Sequence, residues 1–309
     1  MGYFKKLFFV LTLTMCLSTC VAFCDDEIKL TPAGEVIYMQ SYLNFPVVED
    51  VLSKTCKTLK NEDVLLSITS KSKGKVCNLE DMRNVMKIEN EKIKVEFIRS
   101  GKHKTKSMTS DELRLYKLDC VSRAIGTITA VDKNGKFIGL AHELGCVKDN
   151  VGFKKIDIYK TNFIQQQKSS KDDIGFLVAN DIGGFLGEIT SVSEFGVKGN
   201  YNNFKYNPNE ALSISKPKVG IAYILCSDSI TSEPKLHKIK ITKVNKDLSS
   251  IKVLDKSLIK FRGGIVRGMS GSPVIQNNKI VGGVRSTNIS NPKEGHISNI
   301  HSMLGINLN

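Results

Sequence analysis

The sequence predicts a mostly β protein in which a small α+β unit precedes a larger all-β part. Three observations carry this. From Cys120 onward, short apolar runs recur between turn signals, as in a sandwich or barrel. Ahead of them, Lys92–Arg99 alternates apolar and polar residues as a half-buried strand does, and Asn78–Met86 has the signals of a helix. At the start, the apolar run Leu7–Phe23 stands between Lys5-Lys6 and Asp25-Asp26-Glu27.

The flanks of that first run, basic before and acidic after, define an export signal. Its 17 residues sit at the lower limit for crossing a bilayer, so residues 1–24 are expected to be a signal peptide or a membrane anchor. Ala22-Phe23-Cys24 offers a cleavage site, whereas Leu17-Ser18-Thr19-Cys20 is a poor lipoprotein box. The protein is therefore expected to work across a membrane or tethered to one.

The chain has 309 residues, enough for two ordinary domains, with 41% hydrophobic and 25% charged residues. Its net charge of +14 favours anionic partners. The lysines are scattered, however, and the densest run, Arg99 to Lys106, reads as a solvated hairpin end. With no RNP motif, helix-turn-helix or zinc-finger spacing, no nucleic-acid partner is expected. Contact with a membrane surface remains a candidate. Cys16, Cys20 and Cys24 lie in or beside the export signal. Cys56, Cys77, Cys120, Cys146 and Cys226 are far apart, with no C-x-x-C pair, so neither a metal site nor a disulfide framework is expected. No cofactor is expected either.

Residues 30–110 read as one small unit. Val64–Ile68 is a strand. In the helix that follows, Asn78 is the N-cap and Glu80 and Asp81 lie in the first turn. Lys92–Arg99 turns at Ser100-Gly101 and returns as Lys102–Met108. This strand, helix and hairpin resemble the second half of a PDZ domain. Residues 115–309 form the larger unit. Ile125–Val131 passes through Asp132-Lys133-Asn134-Gly135 into Phe137–Ala141. Further strands are expected at Gly187–Val192, Gly220–Cys226, Leu236–Lys243, Ile251–Leu254 and Val274–Arg285, the last with a polar turn, Gln276-Asn277-Asn278-Lys279, between the runs Val274-Ile275 and Ile280-Val281. The segment Asp149–Asp173 has no clear period.

Chemistry concentrates at Gly263-Gly264-Ile265-Val266-Arg267-Gly268-Met269-Ser270-Gly271-Ser272-Pro273. The G-x-S-G-S-P core is how serine peptidases with two β-barrels present a nucleophile. A hydroxyl needs a base to take its proton and backbone N–H groups aimed at the oxyanion, and a glycine-flanked turn can supply those groups. The strand–helix G-x-S-x-G arrangement fits poorly, because Pro273 and β-branched residues follow. His142, directly after a strand and bounded by Gly139 and Gly145, is the candidate base. His103, His237, His296 and His301 are weaker candidates: His237 lies within an alternating strand, and His296 and His301 in a polar tail. Asp255 and Asp181 both qualify as the acid that orients the imidazole, and residue chemistry alone does not choose between them.

With these residues placed, Asp255 to Pro273 resembles the SpoIVB peptidase family, the stage IV sporulation protein B of endospore-forming bacteria. Leu30–Glu35, Ala124–Thr129, Gly139–His142 and Ala222–Leu225 agree with it as well. The resemblance implies a membrane signal, a PDZ domain and a trypsin-like double β-barrel serine peptidase. It implies Ser270 as nucleophile, His142 as base, Asp255 as acid, and an oxyanion hole at Gly268 and Ser270. It also implies a substrate that is a membrane-bound regulator of a processing protease, cut in the forespore intermembrane space to trigger sigma-factor processing, with self-cleavage. Two positions depart from the family. Ala141 replaces a glycine before the histidine, and Glu62-Asp63 stands where Gly-Asp is usual. Ile37–Val51 lacks the glycines of a carboxylate-binding loop, so weak binding of peptide tails is expected. The contrasting expectation, a catalytically silent scaffold for a membrane partner, is opposed by the intact trio of Ser270, His142 and Asp255.

Overall fold

The computed structural model describes residues 28–53, 55–141, 153–227 and 233–306. The expected export signal and His142 lie outside this set. The architecture begins with one long strand, β1 (Lys29–Val51). Then come β2 (Val64–Ser70), β3 (Gly74–Val76), α1 (Leu79–Met86), β4 (Lys92–Arg99), β5 (Lys102–Thr109) and the short α2 (Ser110–Leu113). A second run follows: β6 (Tyr116–Val131), β7 (Lys136–Ala141), β8 (Phe153–Gln166), β9 (Leu177–Ser193), β10 (Gly196–Tyr201) and β11 (Leu212–Ser213). The last part holds β12 (Gly220–Cys226), β13 (Lys235–Val244), β14 (Leu248–Val253), α3 (Lys256–Arg262), β15 (Pro273–Gln276), β16 (Lys279–Asn288), β17 (Asn291–Asn299) and α4 (Ile300–Leu304).

Strand pairing makes two closed barrels. The order β1-β6-β7-β10-β9-β8 is closed by β8 returning to β1. The order β12-β13-β14-β17-β16-β15 closes the second. Each is filled by inward-facing aliphatic residues, Ile37, Ile128, Ile156 and Ile158 in the first and Ile224, Ile239, Ile251 and Val274 in the second. Leu30, Ala130 and Ile138 from the first barrel pack on Ile280, Ile300 and Met303 from the second.

β1 serves two structures. Its first half, through Tyr42, pairs with both β6 and β8. After an irregularity between Tyr42 and Val47, its second half pairs with β6 and touches β2 at Val47–Val64. Pro46 falls in that irregularity, where its missing N–H removes no ladder bond. The sheet then continues through β2 and β4 to the edge strand β5. The resulting lobe has its own core of Leu65, Ile68, Met82, Val95 and Phe97.

Most expected elements lie where the sequence put them. Asn78 caps α1 by accepting from Asp81 N, and β4, β5 and β12 match their predicted spans. The polar turn at Gln276–Lys279 makes Val274–Arg285 a hairpin, with Asn277 and Asn278 at positive φ of 50° and 58°. Two expectations change. The aperiodic segment contains β8, where Ile156, Asp157 and Ile158 are all buried, so both faces of the strand are covered there. The polar tail is structured too: His296 lies in β17 and His301 in α4, with Ile297 and Ile300 fully buried between their polar neighbours.

The barrels meet at the serine turn. Thr129, fully buried in β6, donates from Oγ1 to the Gly271 carbonyl at 2.6 Å. Thr129→Val should leave that carbonyl unsatisfied and cost about 1–3 kcal/mol of stability in urea titrations, whereas Thr129→Ser should retain the bond. A larger loss in Thr129→Ser than in Thr129→Val would show that the methyl group, not the hydroxyl, holds the turn.

Candidate active site

The serine segment runs from α3 to β15, and its course is set at both ends. Asp255 caps α3 by accepting from Leu258 N at 2.9 Å, and Gly263 ends the helix in the left-handed conformation. The chain then passes along the tip of the β8–β9 hairpin. Ser169 N donates to Arg262 O, Arg267 N to Gly175 O, and Leu177 N to Arg267 O. Ser169 Oγ donates to Ile265 O and accepts from Gly175 N. First-barrel backbone thus fixes the approach to the nucleophile.

At the turn itself, two glycines are required. Gly271 has φ +100°, and a Cβ there would lie 2.1 Å from Thr127 O and 2.9 Å from Leu140 N. Gly268 has φ +98° and lies against Leu177. Its carbonyl accepts from Thr127 Oγ1 at 3.0 Å. Among the described residues, no acceptor takes the N–H of Gly268 or of Ser270. These are the two amides expected to form an oxyanion hole. Ser270 is 6% exposed, and its Oγ donates to Arg285 O at 3.3 Å.

Ser270 opens into a cavity of about 620 Å³ between the barrels. Its walls include Ile125 from β6, Phe176 and Leu177 from the hairpin tip, Ile265 and Val266 from the serine segment, and Thr287 from β16. β16 pairs with β15 only as far as Gly283, but with β17 as far as Asn288. Among the described residues, Ser286 and Thr287 therefore have a strand partner on the β17 side only and leave their other edge toward the cavity, the geometry by which an extended peptide is added to a sheet.

The other site candidates divide. β7, whose Leu140 touches the serine turn, ends at Ala141, one residue before His142. Asp181 lies in β9 opposite Thr161. Asp255 does not line the Ser270 cavity. Its Oδ1 lies 3.2 Å from Nδ1 of His237, which is 2% exposed inside the second barrel. The alignment falls short of a linear hydrogen bond, so the contact is mainly electrostatic. His237 Nε2 lies 3.2 Å from the Cys226 carbonyl. Burial raises the Asp255 pKa. Bonds from Ser257 Oγ and Leu258 N, with His237 beside it, outweigh burial and hold the carboxyl well below its ordinary value.

Sequence reasoning set His237 aside because an apolar–polar alternation reads as packing. That alternation also aims its ring at the barrel interior, where Asp255 meets it. Arg267 went unremarked although it is a charged residue within an otherwise small and apolar motif. Ile174 and Phe176 follow directly on the segment with no clear period, outside any expected strand.

Two barrels, a serine in a glycine turn between them and free amides beside it define a serine endopeptidase. The profile of the SpoIVB peptidase S55 family matches residues 112–304, and the chain belongs to that family. Among solved structures, the active form of the Rv3671c protease from M. tuberculosis is similar at 13% identity and a TM-score of 0.37. That likeness covers 60% of this chain and 72% of the other. Deg5 is similar at 14% identity and a TM-score of 0.36, over 59% of this chain and 80% of the other. No curated protein matches.

The lowered Asp255 pKa makes a pH prediction. Stability from this carboxylate is fully present above about pH 4 and is lost as the pH falls toward its folded-state value. Asp255→Asn retains the cap but not the charge. Its urea midpoint should therefore lie below wild type at pH 7, and the gap should narrow progressively below pH 4. A gap independent of pH would mean that the charge does not stabilise the fold.

Proposed function

We propose that this chain is an exported serine endopeptidase of sporulation that cuts a membrane-bound regulator of a processing protease in the forespore intermembrane space, and cuts itself. The cleavage releases sigma-factor processing. Membership of the SpoIVB family and the export signal expected from the sequence of residues 1–24 support this. The observation that carries the catalytic part is Ser270 in its glycine turn, with two unengaged amides and an open strand edge facing the same cavity.

In this reading His142 takes the Ser270 proton as the hydroxyl attacks the scissile carbonyl. The amides of Gly268 and Ser270 hold the oxyanion, and His142 returns the proton to the leaving amine. Asp255 is the acid that the family resemblance assigns. Its contact with His237 favours a second role, anchoring the start of the segment that carries Ser270. The unit at residues 30–110, with its PDZ resemblance, would hold the peptidase at its partner or at the membrane rather than bind peptide tails. Deleting it whole would remove β1 from the first barrel, so substitutions on the lobe surface are the better probe.

Ser270→Ala should abolish self-cleavage and peptide cleavage, a loss of about a millionfold in turnover, with the fold retained. Wild-type cleavage by this variant would sink the assignment. Side-by-side kinetics separate the two roles of Asp255. If it is the acid, Asp255→Asn should lose roughly ten-thousandfold in turnover while His237→Asn stays near wild type. If it is an anchor, the two variants should lose activity and stability together, and the losses should not add in the double variant.

A further inference from the structure

The Ser270 cavity carries charge of one sign. No acidic residue lines it, whereas Arg123, Arg267 and Arg285 do. The three guanidinium groups differ in what already occupies them. Arg123 pairs with Glu49 at 3.0 Å and lies 3.7 Å from Asp119. Arg285 donates to the Glu194 carbonyl and approaches Ser298 Oγ at 3.5 Å. Arg267 is exposed and takes part in no ion pair among the described residues.

The backbone of Arg267 is held on both sides, by Gly175 O and by Leu177 N. The residue sits three positions before Ser270, so its side chain leaves a fixed point at the mouth of the cavity. The walls beside it are apolar: Ile265 and Val266 are each 2% exposed, while Phe176 and Ile289 remain 36% and 58% exposed with no partner covering them. An apolar slot beside an unpaired guanidinium suits a substrate that presents an apolar side chain and a carboxylate close together. A lysine in the same place would meet a like charge in a partly desolvated cleft.

We infer that Arg267 is a specificity-determining residue, selecting substrates with an Asp or Glu within two residues of the scissile bond, next to an apolar residue. This rests on the peptidase reading of Ser270 and extends it to a substrate class. The open edge of β16 would hold the peptide backbone in extension, and Arg267 would take the carboxylate as a charge-assisted contact.

The test uses the purified full chain with quenched-fluorescence peptides. One apolar residue is fixed and Glu, Gln or Lys is scanned around it, while a fluorophosphonate probe reports Ser270 in parallel. Wild type should prefer Glu over Gln by about fivefold in kcat/KM, an effect weakened by salt. Arg267→Gln should level the two, Arg267→Lys should keep part of the preference, and Arg267→Glu should favour Lys. Labelling and cleavage without a Glu preference, or a preference that survives Arg267→Gln, would overturn this inference and leave the peptidase intact. Absence of both labelling and cleavage would overturn the peptidase reading and the inference with it.

Discussion

The contact on which the structure depends is the docking of the serine turn against β6. Gly271 passes so close to Thr127 that no side chain fits, and Thr127 and Thr129 each donate a hydroxyl to a carbonyl of the turn. The two hydroxyls fix both ends of the Gly268–Gly271 turn, so the amides between them have little freedom. Preorganised donors of this kind need no rearrangement when charge develops on a bound carbonyl. The nucleophile therefore belongs to the second barrel by sequence but takes its geometry from the first.

A second constraint lies behind the turn. α3 is only two turns long and is held by its ends, by the Asp255 carboxylate at one and Gly263 at the other. His237 meets the Asp255 carboxylate from inside the barrel, and Asp255 N donates to Lys238 O, so α3 is tied to β13 as well as to β14. Any displacement of this helix would move the chain that leads to Ser270. The hairpin tip from Ser169 to Leu177 fixes the same chain from the opposite side, and it forms a cavity wall as it does so. Support and substrate contact are thus supplied by the same residues.

The lobe ahead of the barrels is continuous with them through β1. At its base Asp63, 1% exposed, accepts two bonds from Arg99 and one from Lys60 N. Beside it Glu62 has φ +71°, a conformation in which glycine is far more at ease. At the far end, β5 carries Lys102, Lys104 and Lys106 on an exposed edge. Charged side chains there discourage pairing with a further strand. Part of the positive charge thus has a structural use without any bound partner.

The sequence by itself determined every feature that depends on neighbours in the chain. Asn78 and Asp255 were in place to cap helices, Asn277-Asn278 to turn a hairpin, and Gly268-Met269-Ser270-Gly271 to present a hydroxyl. Alternation located β4, β12 and β13 because each has one buried face. It failed for β8, which is covered on both faces, and for β17 and α4, where buried Ile297 and Ile300 are hidden among polar residues. Tertiary structure alone decided which distant groups meet. It paired Asp255 with His237, set Arg267 beside Phe176, and placed Gly271 under Thr127. No spacing along the chain encodes these contacts, because barrel closure and strand register bring together residues that lie from 18 to 144 positions apart.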